Sequence, residues 1–167
     1  MQPKLSQAEA NALAWQQGVR LLERAVAEKL AYAFETTLGA STIPRLLAEA
    51  ASKGAEVRAW YVGLDTVDRH IARVRARVRR GGHDIPETDI RRRFETSRLN
   101  LIELMPSLAA LRVYDNSLEA DPATGHAPTP LLVLHLERGR ILAPADLSAT
   151  PAWAKAIVAR AWTAKVK

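Results

Sequence analysis

No cysteine occurs among the 167 residues. Disulfides and thiolate metal sites are therefore excluded, and the composition suits a reducing cytoplasm, which is the expected location. Long apolar runs are also missing. Residues 131–136 form one of the longest, far short of the roughly 20 residues that a membrane-spanning helix needs, so no membrane association is expected. The opening Met1-Gln2-Pro3-Lys4 is not followed by an apolar stretch, so no signal peptide is expected. His70, His83, His126 and His135 form no metal-ligand spacing, so no protein-bound metal centre is expected. There is no internal repeat.

What remains is apolar enough to fold. Apolar residues make up 48% of the chain, and its length supports one domain with a real core. The formal net charge of +6 suits an anionic partner, either a nucleotide or a nucleic acid. A solubilising surface is the plainer reading of such an excess. Position shifts the balance, because the arginines concentrate between Arg69 and Arg98.

The hydrophobic pattern alternates helix with strand. Ser6-Gln7-Ala8-Glu9 reads as a capping box, and Trp15, Val19, Leu22 and Val26 follow on one helical stripe to about Lys29. Residues 31–36 read as a short strand. Ser41 or Thr42 can cap a second helix that ends before Gly54, and residues 56–62 form the next strand. Thr66 starts a third helix with Val67, Ile71, Val74 and Val78 on one face, and Gly81-Gly82 stops it. Pro86 suits the first position of a fourth helix, whose buried side is Ile90, Phe94, Leu101 and Leu104. A strand at 111–114 ends in Asp115-Asn116-Ser117. After a loop at 118–130, residues 131–136 and 140–142 can pair as a hairpin across Arg138-Gly139. Thr150 can cap a last helix, with Trp153, Ile157 and Trp162 facing inward. Such alternation predicts an α/β fold, a parallel sheet with helices on both faces, in which ligands sit beyond the carboxyl ends of the strands.

Three groups of residues can carry chemistry. In Phe34-Glu35-Thr36-Thr37-Leu38 a carboxylate and two hydroxyls stand at a strand end, where they can bond a polar substrate; a solvated glutamate with capping threonines is the plainer account. Arg69, Arg73, Arg77 and Arg80 share a stripe of the third helix, and Arg91, Arg92, Arg93 and Arg98 follow on the fourth. Joined by the Gly81-Gly82 turn, these helices make a cationic hairpin that can close as a lid over a transferring phosphoryl group. A solvated basic face and a contact surface for a nucleic-acid backbone are the other readings. Asp115-Asn116-Ser117 fits a turn as well as a binding site.

Taken in order, Tyr32-Ala33-Phe34-Glu35-Thr36-Thr37-Leu38, Arg73-Val74, Arg77-Val78, Gly81-Gly82-His83-Asp84-Ile85-Pro86, Ile90-Arg91-Arg92-Arg93-Phe94 and Val113-Tyr114-Asp115-Asn116-Ser117 resemble the zeta-toxin-like P-loop kinases, also described as ABC-type or AAA-family ATPases. The similarity spans about residues 10–117. It implies a P-loop-kinase-like domain at 1–117 with an arginine-rich lid at about 66–105, followed by a loop at 118–130 and a small hairpin and helix at 131–167. It also implies ATP and Mg²⁺ as cofactors and transfer of the γ-phosphate to a small acceptor, which in true zeta toxins is a UDP-linked N-acetyl amino sugar. By the same resemblance Glu35 and Thr37 face the acceptor, and Arg77, Arg93 and Arg73 clamp the transferring phosphate. Asp115 and Asn116 lie near the nucleotide base. An antitoxin protein is the implied partner in a toxin–antitoxin pair.

The departures from that pattern are specific. No G-x-x-x-x-G-K-[ST] string occurs anywhere in the chain, and the acidic strand that follows it in the family is missing too. Gly39 or its neighbours stand where true zeta toxins carry an arginine that contacts the sugar nucleotide. The domain is thus expected to be incomplete at its N-terminal side, through a late start codon, fragmentation or decay of the gene. The strands beside the missing one are expected to be left without a partner. Phosphotransferase activity is expected of the family and not of this chain alone. The alternatives are a basic module that binds nucleic acid and a remnant that binds a protein partner.

Overall fold

A computed structural model describes residues 6–119, 128–144 and 146–164. The chain enters through α1 (Gln7–Ala27) and α2 (Thr42–Ser52), then forms β1 (Arg58–Gly63), α3 (Val67–Arg79) and α4 (Glu87–Leu104). It continues into β2 (Ala110–Asp115), β3 (Leu131–Glu137), β4 (Arg140–Ala143) and α5 (Lys155–Ala164). None of the described helices is long and apolar enough to cross a membrane.

Local chemistry sets the helix starts. The Ser6 hydroxyl accepts from the Glu9 N–H while the Glu9 carboxylate accepts from the Ser6 N–H at 2.8 Å, a complete capping box. The Thr66 hydroxyl accepts from the Arg69 N–H at 3.2 Å and opens α3. Glu87 and Asp89 sit in the first turn of α4, where the helix dipole favours a negative charge. Two expected caps are not made. Ser41 precedes α2 without a side-chain bond. The Thr150 hydroxyl is buried without a partner among the described residues, and a 3₁₀ turn at Ala152–Ala154 precedes α5.

The sheet has the order β1-β2-β3-β4. β1 and β2 run parallel, joined by the α3–α4 crossover; β3 and β4 are an antiparallel hairpin laid against β2. The fold is mixed α/β, and the expectation of a parallel sheet is corrected for its second half. The C-terminal hairpin belongs to the same sheet as β1 and β2. The expected strand at 31–36 is also corrected. That segment is exposed and pairs with no strand among the described residues, and an unpaired backbone run forms no ladder. β1 is consequently an edge strand.

The helices lie against one face only. α2 packs on α4, α1 on α2, α3 on α4 and α5 on α4, forming one connected layer. Against it the sheet sets Leu111, Val113, Leu134 and Leu136, and α5 adds Trp153, Ile157, Val158 and Ala161 to the same core. Burying a side chain of the Leu or Val kind contributes about 1.5–3 kcal/mol. A Tyr61–Ser97 hydroxyl bond of 3.0 Å ties β1 to α4 inside this interface. The opposite face shows Trp60, Val62, Leu132 and Leu142 to solvent. Helices on both faces were expected; the antiparallel hairpin needs no second crossover helix, and no described helix covers that side. Trp15 and Trp162, expected inside, are exposed, while Val19, Leu22 and Val26 of the same α1 stripe do pack on the core.

Candidate functional site

The carboxyl ends of β1 and β2 meet in register at Gly63 and Asp115. Beyond them the chain stitches the two strands together. The Asn116 N–H donates to the Gly63 carbonyl at 2.9 Å, and the Asp65 N–H donates to the Ser117 hydroxyl at 2.8 Å. The Ser117 N–H donates to Asp115 Oδ1 at 2.9 Å, and its hydroxyl makes a short bond to the same oxygen. Asp115-Asn116-Ser117 is thus both a turn and the seam between the strand ends. The Asn116 side chain makes no hydrogen bond among the described residues.

α3 reaches over this seam. The Arg69 guanidinium grips both oxygens of Asp65, at 2.6 and 3.0 Å, and the Glu119 carboxylate at 2.9 Å. Its donation holds the Asp65 carboxyl below the usual aspartate range. One turn further on, Arg73 Nη2 donates to the Leu118 carbonyl at 3.0 Å. The rings of His70 and Phe94 of α4 meet edge to face with their centres 5.8 Å apart, and the Arg98 guanidinium lies 3.9 Å from the centre of the Phe94 ring. Burial pushes the His70 imidazole down, and the charges of Arg73 and Arg98 push it further. Three carboxylates, Asp65, Asp115 and Glu119, and two guanidinium groups, Arg69 and Arg73, thus gather around the strand ends.

Arg69 and four further arginines of the hairpin are spent on carboxylates. Arg75 and Arg91 share Glu87, at 3.0 and 2.7 Å, and Arg91 also approaches Asp68 at 3.4 Å. Arg92 and Arg93 share Asp89, at 2.9 and 3.5 Å. Among the described residues Arg73, Arg77 and Arg98 meet no carboxylate, and their hydrogen bonds go to main-chain carbonyls. Arg77 Nη2 donates to the His83 carbonyl at 3.0 Å, and its stem lies so close to Gly82 that a Cβ there would come within 2.6 Å of Arg77 Cγ. Arg77 therefore straps the glycine turn. An open cleft of about 440 Å³ separates the two helices, lined by Ile71, Val74, Val78, Ile85 and Ile90.

The Glu35-Thr36-Thr37 segment docks on α4 through the residues after it. Leu38 has φ 53°, a left-handed backbone that a leucine adopts only when its surroundings hold it there. Its N–H donates to the Thr36 hydroxyl at 3.1 Å, and Asn100 Nδ2 donates to its carbonyl at 2.6 Å. The Thr96 hydroxyl donates to the Gly39 carbonyl at 3.1 Å. A Cβ on Gly39 would come within 2.8 Å of Arg93 Cγ, so glycine is what lets the loop lie on the Arg93 stem. Glu35 and Thr37 are exposed, with no side-chain partner among the described residues.

The structure sorts the seven sequence-predicted site residues into three places. Arg73 joins Asp115 and Asn116 at the strand ends. Glu35 and Thr37 stand on the loop that rests on Arg93. Arg77 sits apart, at the turn. Sequence reasoning passed over Asp65, Thr96 and Asn100, and weighed His70 only as a metal ligand. An acid four residues ahead of Arg69 was a signal for the first; nothing local marks Asn100 as the anchor of a loop 60 positions away. No group of three metal-ligating side chains forms among the described residues; Asp65 is held by Arg69 and Asp115 by Ser117.

No protein-family profile matches the chain, and no solved structure matches it. It is similar to an uncharacterized protein of Haemophilus influenzae, 28% identical over 92 residues. The match takes in 55% of this chain and 63% of the relative.

Proposed function

We propose that these residues form the acceptor and lid side of an ATP-dependent phosphotransferase of the zeta-toxin-like kind, acting on a small acceptor such as a sugar nucleotide. One observation carries the reading. In a hairpin where Arg69, Arg75, Arg91 and Arg92 are held by carboxylates, Arg73 makes no ion pair among the described residues and stands at the end of two parallel strands. A planar guanidinium free of an acid suits the oxygens of a phosphoryl group. Arg93, with its carboxylate at the long distance of 3.5 Å, can serve the same group beside Glu35 and Thr37, which are free to bond the acceptor's hydroxyls. Arg77 can join them by leaving the His83 carbonyl as the glycine turn moves. Asn116 has an unused amide for the base. The phosphate-cradling loop and the Mg²⁺ ligands of such a reaction are not among these residues, so nucleotide phosphates are assigned no contact here.

The test extends the gene upstream through whatever in-frame codons encode a phosphate-binding loop, and follows transfer from labelled ATP to UDP-linked amino sugars. Arg73→Ala and Arg93→Ala should each lower kcat about a hundredfold with ATP affinity unchanged, because a group that meets charge only in the transition state leaves ground-state binding alone. Arg79→Ala should be silent. Equal losses in all three variants favour a diffuse basic surface and overturn the clamp; silence in all three removes the hairpin from the chemistry. The chain without such a loop should bind Mg²⁺-ATP only weakly by calorimetry.

A further inference from the structure

A second grouping lies on the sheet face opposite the helices, away from the lid. Arg58, Trp60 and Val62 of β1, Arg112 and Tyr114 of β2, and His135 and Glu137 of β3 alternate onto it in register. Trp60 is 61% exposed, more than any other described tryptophan, tyrosine or phenylalanine. The Arg112 guanidinium stands 6.0 Å from its centre. The acids nearby are already taken: Glu56 bonds Arg58 at 3.1 Å and Arg138 at 3.3 Å, and Glu137 approaches Arg58 at 3.6 Å. Arg112 and the neighbouring Arg140 meet no carboxylate among the described residues. His135 Nε2 is buried without a hydrogen bond, 3.9 Å from Glu137.

An open indole beside a guanidinium that meets no carboxylate, on an uncovered sheet face, offers a stacking surface and a phosphate contact within one nucleotide's reach. Duplexes hide the faces of their bases; single strands present them. A second copy of the chain is the less suitable occupant, because a two-fold contact sets the same patch against itself and would bring the unpaired arginines of both copies together. We propose that this open sheet face binds single-stranded nucleic acid, with a base stacked on Trp60 and a backbone phosphate on Arg112. The site is independent of the kinase reading, since it uses none of the lid or acceptor residues.

Fluorescence anisotropy of the full chain with labelled oligothymidylate and oligouridylate of about 12 nucleotides tests it. Binding should weaken with salt. Trp60→Ala should weaken it roughly tenfold and Trp60→Phe much less, since a ring remains to stack. Arg112→Gln should reduce the slope of log affinity against log salt by about 0.7, the share of one phosphate on a single strand. Arg73→Ala and Arg79→Ala should leave binding unchanged. Circular dichroism should be the same for every variant, as Trp60 and Arg112 are outside the core. No binding overturns the proposal. So does binding that the hairpin variants weaken and Trp60→Ala does not, which would move the contact to the arginine hairpin. A dimer in sedimentation that Trp60→Ala dissolves would give the face to a second copy.

Discussion

The two faces of the sheet are built from one alternating pattern and have opposite fates. Toward the helices, Leu111, Val113 and Leu134 are fully buried and share one core with residues of α4 and α5. On the other side Trp60, Val62 and Leu142 are more than half exposed. Apolar alternation in a strand therefore states only that a face can be covered. What covers it is decided by the connections, and here both described crossover helices fall on one side.

Substitutions on each side should separate these roles. The largest effect is expected from Leu134→Ala, which empties a site with no solvent access: a loss of about 2–5 kcal/mol in urea unfolding. Asn100→Ala should follow with about 1–3 kcal/mol, because it removes the donor to the Leu38 and Ala40 carbonyls that holds a left-handed leucine. If Asn100→Ala unfolds at the same urea concentration as the parent, the loop is held by something other than that amide.

A smaller loss should depend on pH. In the folded protein the His70 imidazole takes up a proton at lower pH than the ordinary value of about 6.5, because it is buried beside Arg73 and Arg98. As pH falls the unfolded chain therefore binds the proton first. This part of the stability is complete above the ordinary imidazole value and is lost as pH falls through the folded one. His70→Gln should flatten the difference in urea midpoint between pH 7.5 and 5.5; an unchanged difference would show that another group titrates. The smallest effect belongs to the open face. Trp60→Ser should shift stability by no more than about 0.5 kcal/mol, and a larger loss would mean that the indole is covered in solution.

Local rules were legible in the sequence. The Ser6–Glu9 box, the Thr66 start of α3, the glycine turn at 81–82 and the β3–β4 hairpin follow from neighbours in the chain, and each forms. Residues 31–36 show why strand alternation is a weaker guide: a strand exists only with a partner, and the pattern carries no information about one. The arginines show the same limit in charge. Helical spacing placed Arg69, Arg73 and Arg77 on one stripe, but their duties diverge because Glu119, the Leu118 carbonyl and the His83 carbonyl arrive from elsewhere in the chain. The exposed face was hidden for a related reason, since a helix–strand alternation suggests cover on both sides whichever side the helices take.

The grip of Arg69 on Asp65 and Glu119 bears on how the molecule opens. One side chain of α3 joins Asp65, just past β1, to Glu119, which lies beyond β2 and 50 positions after Arg69 itself. The first turns of α3 and the carboxyl ends of both parallel strands are therefore a single cooperative unit. Their amide protons should exchange with solvent at one common free energy, distinct from that of the outer hairpin β3–β4, and replacing Arg69 with methionine should split that shared value in two.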